Sequence, residues 1–99
     1  MKNLQIEKKE KAVFLTGEVD VGNCSVFKEQ LNEIIEGSEG DFILDVSNLS
    51  YIDSAGLGIL VGIYKRLAEK KRELTVMNAN DYIKKLFRIT KLDTLFKVI

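Results

Sequence analysis

The 99-residue sequence has no histidine, no tryptophan and no proline, and a single cysteine, Cys24. Without histidine there can be no Ser-His-Asp triad, no Cys-His pair and no His-ligated metal. One cysteine excludes an internal disulfide and a cysteine-rich zinc site, and nothing in the chain calls for a cofactor. An excess of one charge is also missing. Fifteen basic side chains balance fifteen acidic ones, which argues against a strongly basic nucleic-acid binder. Long apolar runs are absent too. The longest, Leu57 to Tyr64, is too short to span a bilayer and is broken by Gly58 and Gly62. The first residues, Met1 to Glu7, lack the apolar core of a signal peptide. The expectation is a cytoplasmic protein with no membrane contact and no direct nucleic-acid partner.

What is present is a globular balance, 45% apolar and 30% charged, with room for one hydrophobic core. No linker, repeat or low-complexity segment divides the chain, so residues 1–99 read as one domain. The charge is unevenly spread. Residues 1–64 carry 5 basic and 11 acidic side chains, whereas residues 65–99 carry 10 and 4. Two halves attracting across a shared surface is one reading, and a polarised surface that orients a protein partner is the other.

The apolar pattern alternates between strand and helix periods. Leu4 and Ile6 mark a short strand with one wet face, and Lys8 to Lys11 a charged turn. Ala12 to Thr16 is a more buried strand ending at Gly17-Glu18-Val19-Asp20. Cys24, Phe27, Leu31, Ile34 and Ile35 then share one helical face, with Asn23 placed to cap the helix and Gly37 to stop it. On that stripe Cys24 reads as core. Phe42 to Val46 is a continuous apolar strand, as in a parallel sheet covered on both faces. A second helix runs from about Ser54 to about Lys70, with Leu57, Leu60, Val61, Tyr64 and Leu67 as its core stripe and Ile59 and Ile63 beside it. Gly58 and Gly62 each cost that helix about 1 kcal/mol relative to alanine; close packing against a neighbour is the first explanation and a shallow surface for a partner the second. Lys70-Lys71-Arg72 reads as a solvated helix end. Leu74 to Met77 is a strand, and Asn80 or Asp81 caps a short helix with Tyr82, Ile83, Leu86 and Phe87 inward. Leu95 to Ile99 reads as a last strand. Strands alternating with helices define an α/β layer fold.

The most informative segment is Tyr51-Ile52-Asp53-Ser54-Ala55-Gly56-Leu57-Gly58, where a strand hands over to a helix. Asp53 or Ser54 can accept hydrogen bonds from the free N–H groups of the helix start, and the glycines leave little bulk around it. At the carboxyl edge of a strand such a turn lies where α/β sheets place their sites. Four roles are open to Ser54. It caps the helix and nothing more; it lines a phosphate-binding loop, although the lysine and spacing of a P-loop are missing; it is a nucleophile, although no histidine activates it; or it accepts a phosphate. Asp20, Gly22 and Asn23, in the turn after the second strand, reach the same edge if those strands are parallel. Asp20 has two roles open to it, helix capping and contact with a partner.

Asp53-Ser54-Ala55-Gly56-Leu57-Gly58, together with Leu15-Thr16-Gly17-Glu18-Val19-Asp20, resembles the signature of the bacterial anti-sigma factor antagonists of the STAS domain family, over essentially the whole chain. Ala55 stands where many members carry Ser or Thr. The resemblance implies a four- to five-stranded, mostly parallel sheet with an antiparallel edge strand, packed with three to four helices. It also implies a non-enzymatic switch. The unphosphorylated protein binds an anti-sigma factor that is also a serine kinase, which frees the sigma factor and activates transcription. Phosphorylation at Ser54 ends the binding, and a PP2C-type phosphatase restores it. Asp20, Gly22 and Asn23 with Asp53, Ser54, Ala55, Gly56, Leu57 and Gly58 would form the partner surface. Two other roles compete: a stand-alone STAS scaffold in a stress-sensing or lipid-transport assembly, and a small protein that binds nucleotide weakly through the Ser54 turn.

Overall fold

A computed structural model describes residues 4–99. Met1, Lys2 and Asn3 of the expected signal-free N-terminus lie outside the described residues. In chain order the elements are β1 (Leu4–Lys9), β2 (Ala12–Val19), α1 (Cys24–Glu36), β3 (Phe42–Ile52), α2 (Ser54–Glu69), β4 (Leu74–Met77), α3 (Asp81–Ile89), a 3-10 turn (Leu92–Thr94) and β5 (Lys97–Val98). The five strands lie side by side in sequence order. β1 pairs antiparallel with β2, and the remaining neighbours are parallel. This is the α/β architecture that the sequence pattern implies, and its antiparallel edge strand, five-stranded sheet and three α-helices are those the resemblance implies.

Strands laid down in order and joined by right-handed crossovers put their helices on one face of the sheet. The burial pattern agrees. Val13, Leu15, Leu44, Val46, Leu74 and Val76 face the helices and are buried, while their neighbours Phe14, Ile43, Thr75 and Met77 on the other face are half-exposed. The core between the layers is filled by Phe27, Leu31 and Ile35 of α1, Leu60, Ile63 and Leu67 of α2, and Ile83 and Phe87 of α3. Phe96 closes the far end, edge-on to Phe87 at 5.5 Å between ring centroids.

Several local expectations give way to tertiary packing. Phe42–Val46 and Tyr51-Ile52 are two ends of one strand of 11 residues. Its polar middle, Ser47 to Ser50, stays in the sheet because shifts in pairing against β2 between Phe14 and Thr16 and between Gly17 and Glu18 absorb the extra residues. The stripe of α2 is rolled by roughly 50° from the one expected, at 100° per residue. Ile63 is buried, whereas Val61 and Tyr64 are only half-buried. The cause is Gly56. A Cβ there would stand 2.6 Å from Ile52 Cγ1 and 2.8 Å from Val19 Cγ1, so only glycine lets the first turn of α2 lie on the strand ends. Gly58 and Gly62 are the opposite case: nothing lies within 4 Å of where their Cβ atoms would be, so close packing does not explain them. Cys24 is half-buried at the first turn of α1, its Sγ 3.6 Å from Val21 O, and is not core. Tyr82 is exposed and Leu86 half-buried. β5 keeps only two residues of its expected length because the 3-10 turn consumes the residues before it. Arg72 is not merely a solvated helix end: it donates to Ile35 O and Ser38 Oγ, each at 3.1 Å, and to Gly40 O, tying the α2–β4 turn to the end of α1.

On the open face Asp45 is buried. Burial pushes its carboxyl up, but hydrogen bonds from the Ser47 N–H, the Ser47 hydroxyl and Asn78 outweigh this and hold it below the usual carboxylate value. The carboxylate therefore stabilises the fold fully above its unfolded value of about 4, and the contribution is lost as pH falls through the lower folded value. Urea midpoints measured from pH 7 down to pH 3 should fall less steeply in Asp45→Asn than in wild type. The glycines give a second expectation. Gly58→Ala and Gly62→Ala should each stabilise the protein by about 0.5–1 kcal/mol in urea titrations, whereas Gly56→Ala should destabilise it by about 1–3 kcal/mol.

Candidate functional site

Because β2 and β3 are parallel, the β2–α1 turn and the β3–α2 turn emerge at the same sheet edge. The Asp53 amide donates to Val19 O at 3.1 Å, so the two turns leave the sheet side by side. Asp53 is the residue they share. Its Oδ1 accepts from the Gly56 N–H at 3.1 Å, capping α2, and its Oδ2 accepts from the Val21 N–H at 3.1 Å in the other turn. With Asp53 as N-cap, Ser54 occupies the first helical position and is exposed. The capping role open to Ser54 is thus taken by its neighbour. Its hydroxyl makes no hydrogen bond among the described residues.

The β2–α1 turn is built by side chains that bond to its own backbone. Asp20, 9% exposed, accepts from the Gly22 N–H at 2.8 Å through Oδ1. Asn23 accepts from the Asp20 N–H and donates to Glu18 O, each at 2.9 Å. Asn23 stands at the N-cap position of α1, but its side chain caps nothing. A short amide side chain satisfied by the turn behind it is unavailable to the helix ahead. Asp20 likewise shapes the turn. Gly22 is exposed, and a Cβ there would sit 3.1 Å from Asp20 Oδ1.

The edge therefore gathers Asp20, Gly22, Asn23, Asp53, Ser54 and Ala55. Of the other proposed surface residues, Gly58 is exposed one turn along α2, while Gly56 and Leu57 are buried. Gly56 and Leu57 can shape the surface but offer it no side chain. Sequence reasoning missed two apolar groups here. Val21, at the tip of the turn, is 78% exposed. Tyr82 reaches across from α3, stacks on Tyr51 at 6.1 Å and places its hydroxyl 3.4 Å from Ile52 O. The visible signal for Val21 was an apolar residue inside a turn, Asp20-Val21-Gly22-Asn23, where turn chemistry has no use for one. Chemically the edge presents an exposed hydroxyl next in sequence to the Asp53 carboxylate, beside the turn that holds Asp20, with the apolar groups of Val21 and Tyr82 nearby. Among the described residues no cluster of acidic or cysteine side chains could hold a metal ion, and no helix is long and apolar enough to cross a membrane.

A mostly parallel sheet with a serine displayed at a tight helix start that the β2–α1 turn braces defines a class of small α/β domains. The chain belongs to the STAS domain family, whose model matches residues 3–99. It is 34% identical over 102 residues to the anti-sigma-B factor antagonist of Listeria monocytogenes, covering 97% of this chain and 89% of that one. In fold it is similar to a putative anti-sigma factor antagonist from Thermotoga maritima (TM-score 0.81, 22% identity, 96% of this chain and 84% of that one). The phosphorylated form of the Bacillus cell fate determinant SpoIIAA shares the fold (TM-score 0.69, 22% identity, 98% and 91%).

Asp53→Ala should cost about 1–2 kcal/mol through the lost cap. It should also speed hydrogen exchange at the Val21 amide, because the second acceptor disappears with the first. Unchanged exchange at Val21 would mean that the turn is held without Asp53.

Proposed function

We propose that this protein is an anti-sigma factor antagonist whose binding surface is the Ser54 edge. In this reading the unphosphorylated protein binds an anti-sigma factor with serine kinase activity, releasing a sigma factor to activate transcription. The kinase transfers the γ-phosphoryl group of ATP to Ser54, and a PP2C-type phosphatase removes it. The protein is then a substrate and a switch, not a catalyst. The observation that carries the reading is the position of Ser54: exposed, uncommitted, and beside a cap that another residue already supplies. The name of the Listeria relative points the same way.

The electrostatics say how such a switch would act. A phosphate brings about −1.5 to −2 charges at neutral pH. At the first position of α2 it meets free N–H groups and the positive end of the helix dipole, which favour it. Asp53 next in sequence, and Asp20 in the adjoining turn, oppose it. These terms roughly offset, so the fold stays as it is and the effect falls on the partner. A charge placed in a contact shaped for a small neutral hydroxyl costs about 2–5 kcal/mol of binding.

Incubation with the anti-sigma factor kinase of the same genome and ATP, followed by mass mapping, should place one phosphate on Ser54. In titration calorimetry the phosphorylated protein and Ser54→Asp should bind that kinase at least about thirtyfold more weakly than wild type, the lower end of that range. Ser54→Ala should still bind and take up no phosphate. Equal affinity of the phosphorylated and unmodified proteins would overturn the proposal.

A further inference from the structure

Gly58 and Gly62 lie on the outer side of α2 with open space before them. They border a groove of about 390 Å³ between α1 and α2. Ser54, Gly58 and Gly62 follow at four-residue steps, so they fall on one stripe of the helix, and the groove continues directly from the Ser54 edge. Two glycines four apart leave a notch in the helix surface, and a crossing helix can lay the ridge of its own four-apart side chains into such a notch.

Charge and polar atoms add to the shape. Lys28 is the only basic residue between Lys11 and Lys65. The fold sets it in this groove together with Lys65 and Arg66. Arg66 is already paired with Glu36. Lys28 and Lys65 are exposed and make no ion pair among the described residues. The Asn32 side chain also lines the groove, and its Oδ1 is buried with no hydrogen-bond partner among the described residues. Arg66 Nε, in the same groove, is likewise buried with no hydrogen-bond partner among the described residues, and since buried polar groups are nearly always satisfied, both await one. The face as a whole is polarised: carboxylates of Asp20 and Asp53 at one end, and at the other the amines of Lys28 and Lys65 against the single carboxylate of Glu69.

We propose that the α1–α2 groove seats an amphipathic helix of the anti-sigma factor, packed over Gly58 and Gly62 with an acidic side chain opposite Lys28 and Lys65 and a donor to Asn32 Oδ1. This rests on the proposed function and specifies how the partner lies: its acidic helix in the groove fixes the orientation in which Ser54 meets the kinase. The glycines are kept bare against helix propensity because side chains there would close the notch.

Two variants test this without touching the Ser54 edge. Gly62→Leu points into open space and should leave the circular dichroism spectrum unchanged and the urea midpoint no lower. It should weaken binding of the anti-sigma factor at least tenfold. Lys28→Glu combined with Lys65→Glu should weaken it at least tenfold and flatten its dependence on salt. If wild type binds and is phosphorylated at Ser54 while both variants bind within twofold of it, the groove inference fails and the proposed function stands. If wild type neither binds the anti-sigma factor nor accepts phosphate from it, both fail. Sedimentation of the protein alone supplies the remaining outcome: a dimer of wild type that Gly62→Leu dissolves would assign the groove to a second copy and overturn the proposal.

Discussion

The first turn of α2 sits so close to the ends of β2 and β3 that a single Cβ at Gly56 would collide with Val19 and Ile52. Much of the molecule follows from that approach. It sets the roll of the helix, which carries Ile63 into the core and turns Gly58 and Gly62 outward. It brings the start of α2 beside the β2–α1 turn, within reach of a carboxylate that can bond to both. It also leaves Ser54 at the first helical position with its hydroxyl facing out. One contact thus links the core to the surface at which the partner is proposed to bind.

Asp53 is the polar counterpart of that contact. Capping a helix needs one acceptor, and a carboxylate has two oxygens. The second reaches the amide of Val21, 32 residues earlier in the chain. The arrangement relieves Ser54 of the capping role for which serine is well suited, so its hydroxyl is spent on nothing internal. It also gives the edge its sign. A phosphate on Ser54 would add to two carboxylates already held close by, without a basic side chain among the residues that build the two turns. The charge imbalance between the two halves of the sequence resolves in a similar way. Part of it is internal, in the Arg66–Glu36 pair and the grip of Arg72 on the end of α1. Another part survives at the surface, as carboxylates near Ser54 and amines along the α1–α2 groove.

The order and type of the elements were legible in the sequence, because alternating strand and helix periods depend on neighbours a few residues away. So was the placement of Asp20, Gly22, Asn23, Asp53 and Ser54 at one edge, once the strands before them were taken as parallel. What failed were judgements that needed a distant partner. Asn23 has the right residue type for a cap, but its amide is consumed by Glu18 and Asp20. The polar middle of β3, Ser47 to Ser50, carries no strand period of its own, yet pairing with β2 holds it extended. Gly58 and Gly62 suggested close packing, and the structure puts them against open space. Val21 escaped notice because only its position between two converging turns gives an exposed apolar side chain its meaning.

The sequence by itself therefore determined the α/β alternation, the glycine-flanked helix start and the presence of a serine beside an aspartate. Hydrophobic period, turn chemistry and capping preference are local properties, and local spacing suffices to read them. Which of the two residues caps the helix was decided only in three dimensions. Asp53 and Ser54 are equally good candidates until the amide of Val21 arrives from another part of the chain and engages the oxygen that only the carboxylate can spare. The face that α2 turns outward was decided there as well, since the roll of the helix depends on how Gly56 seats against side chains from two different strands.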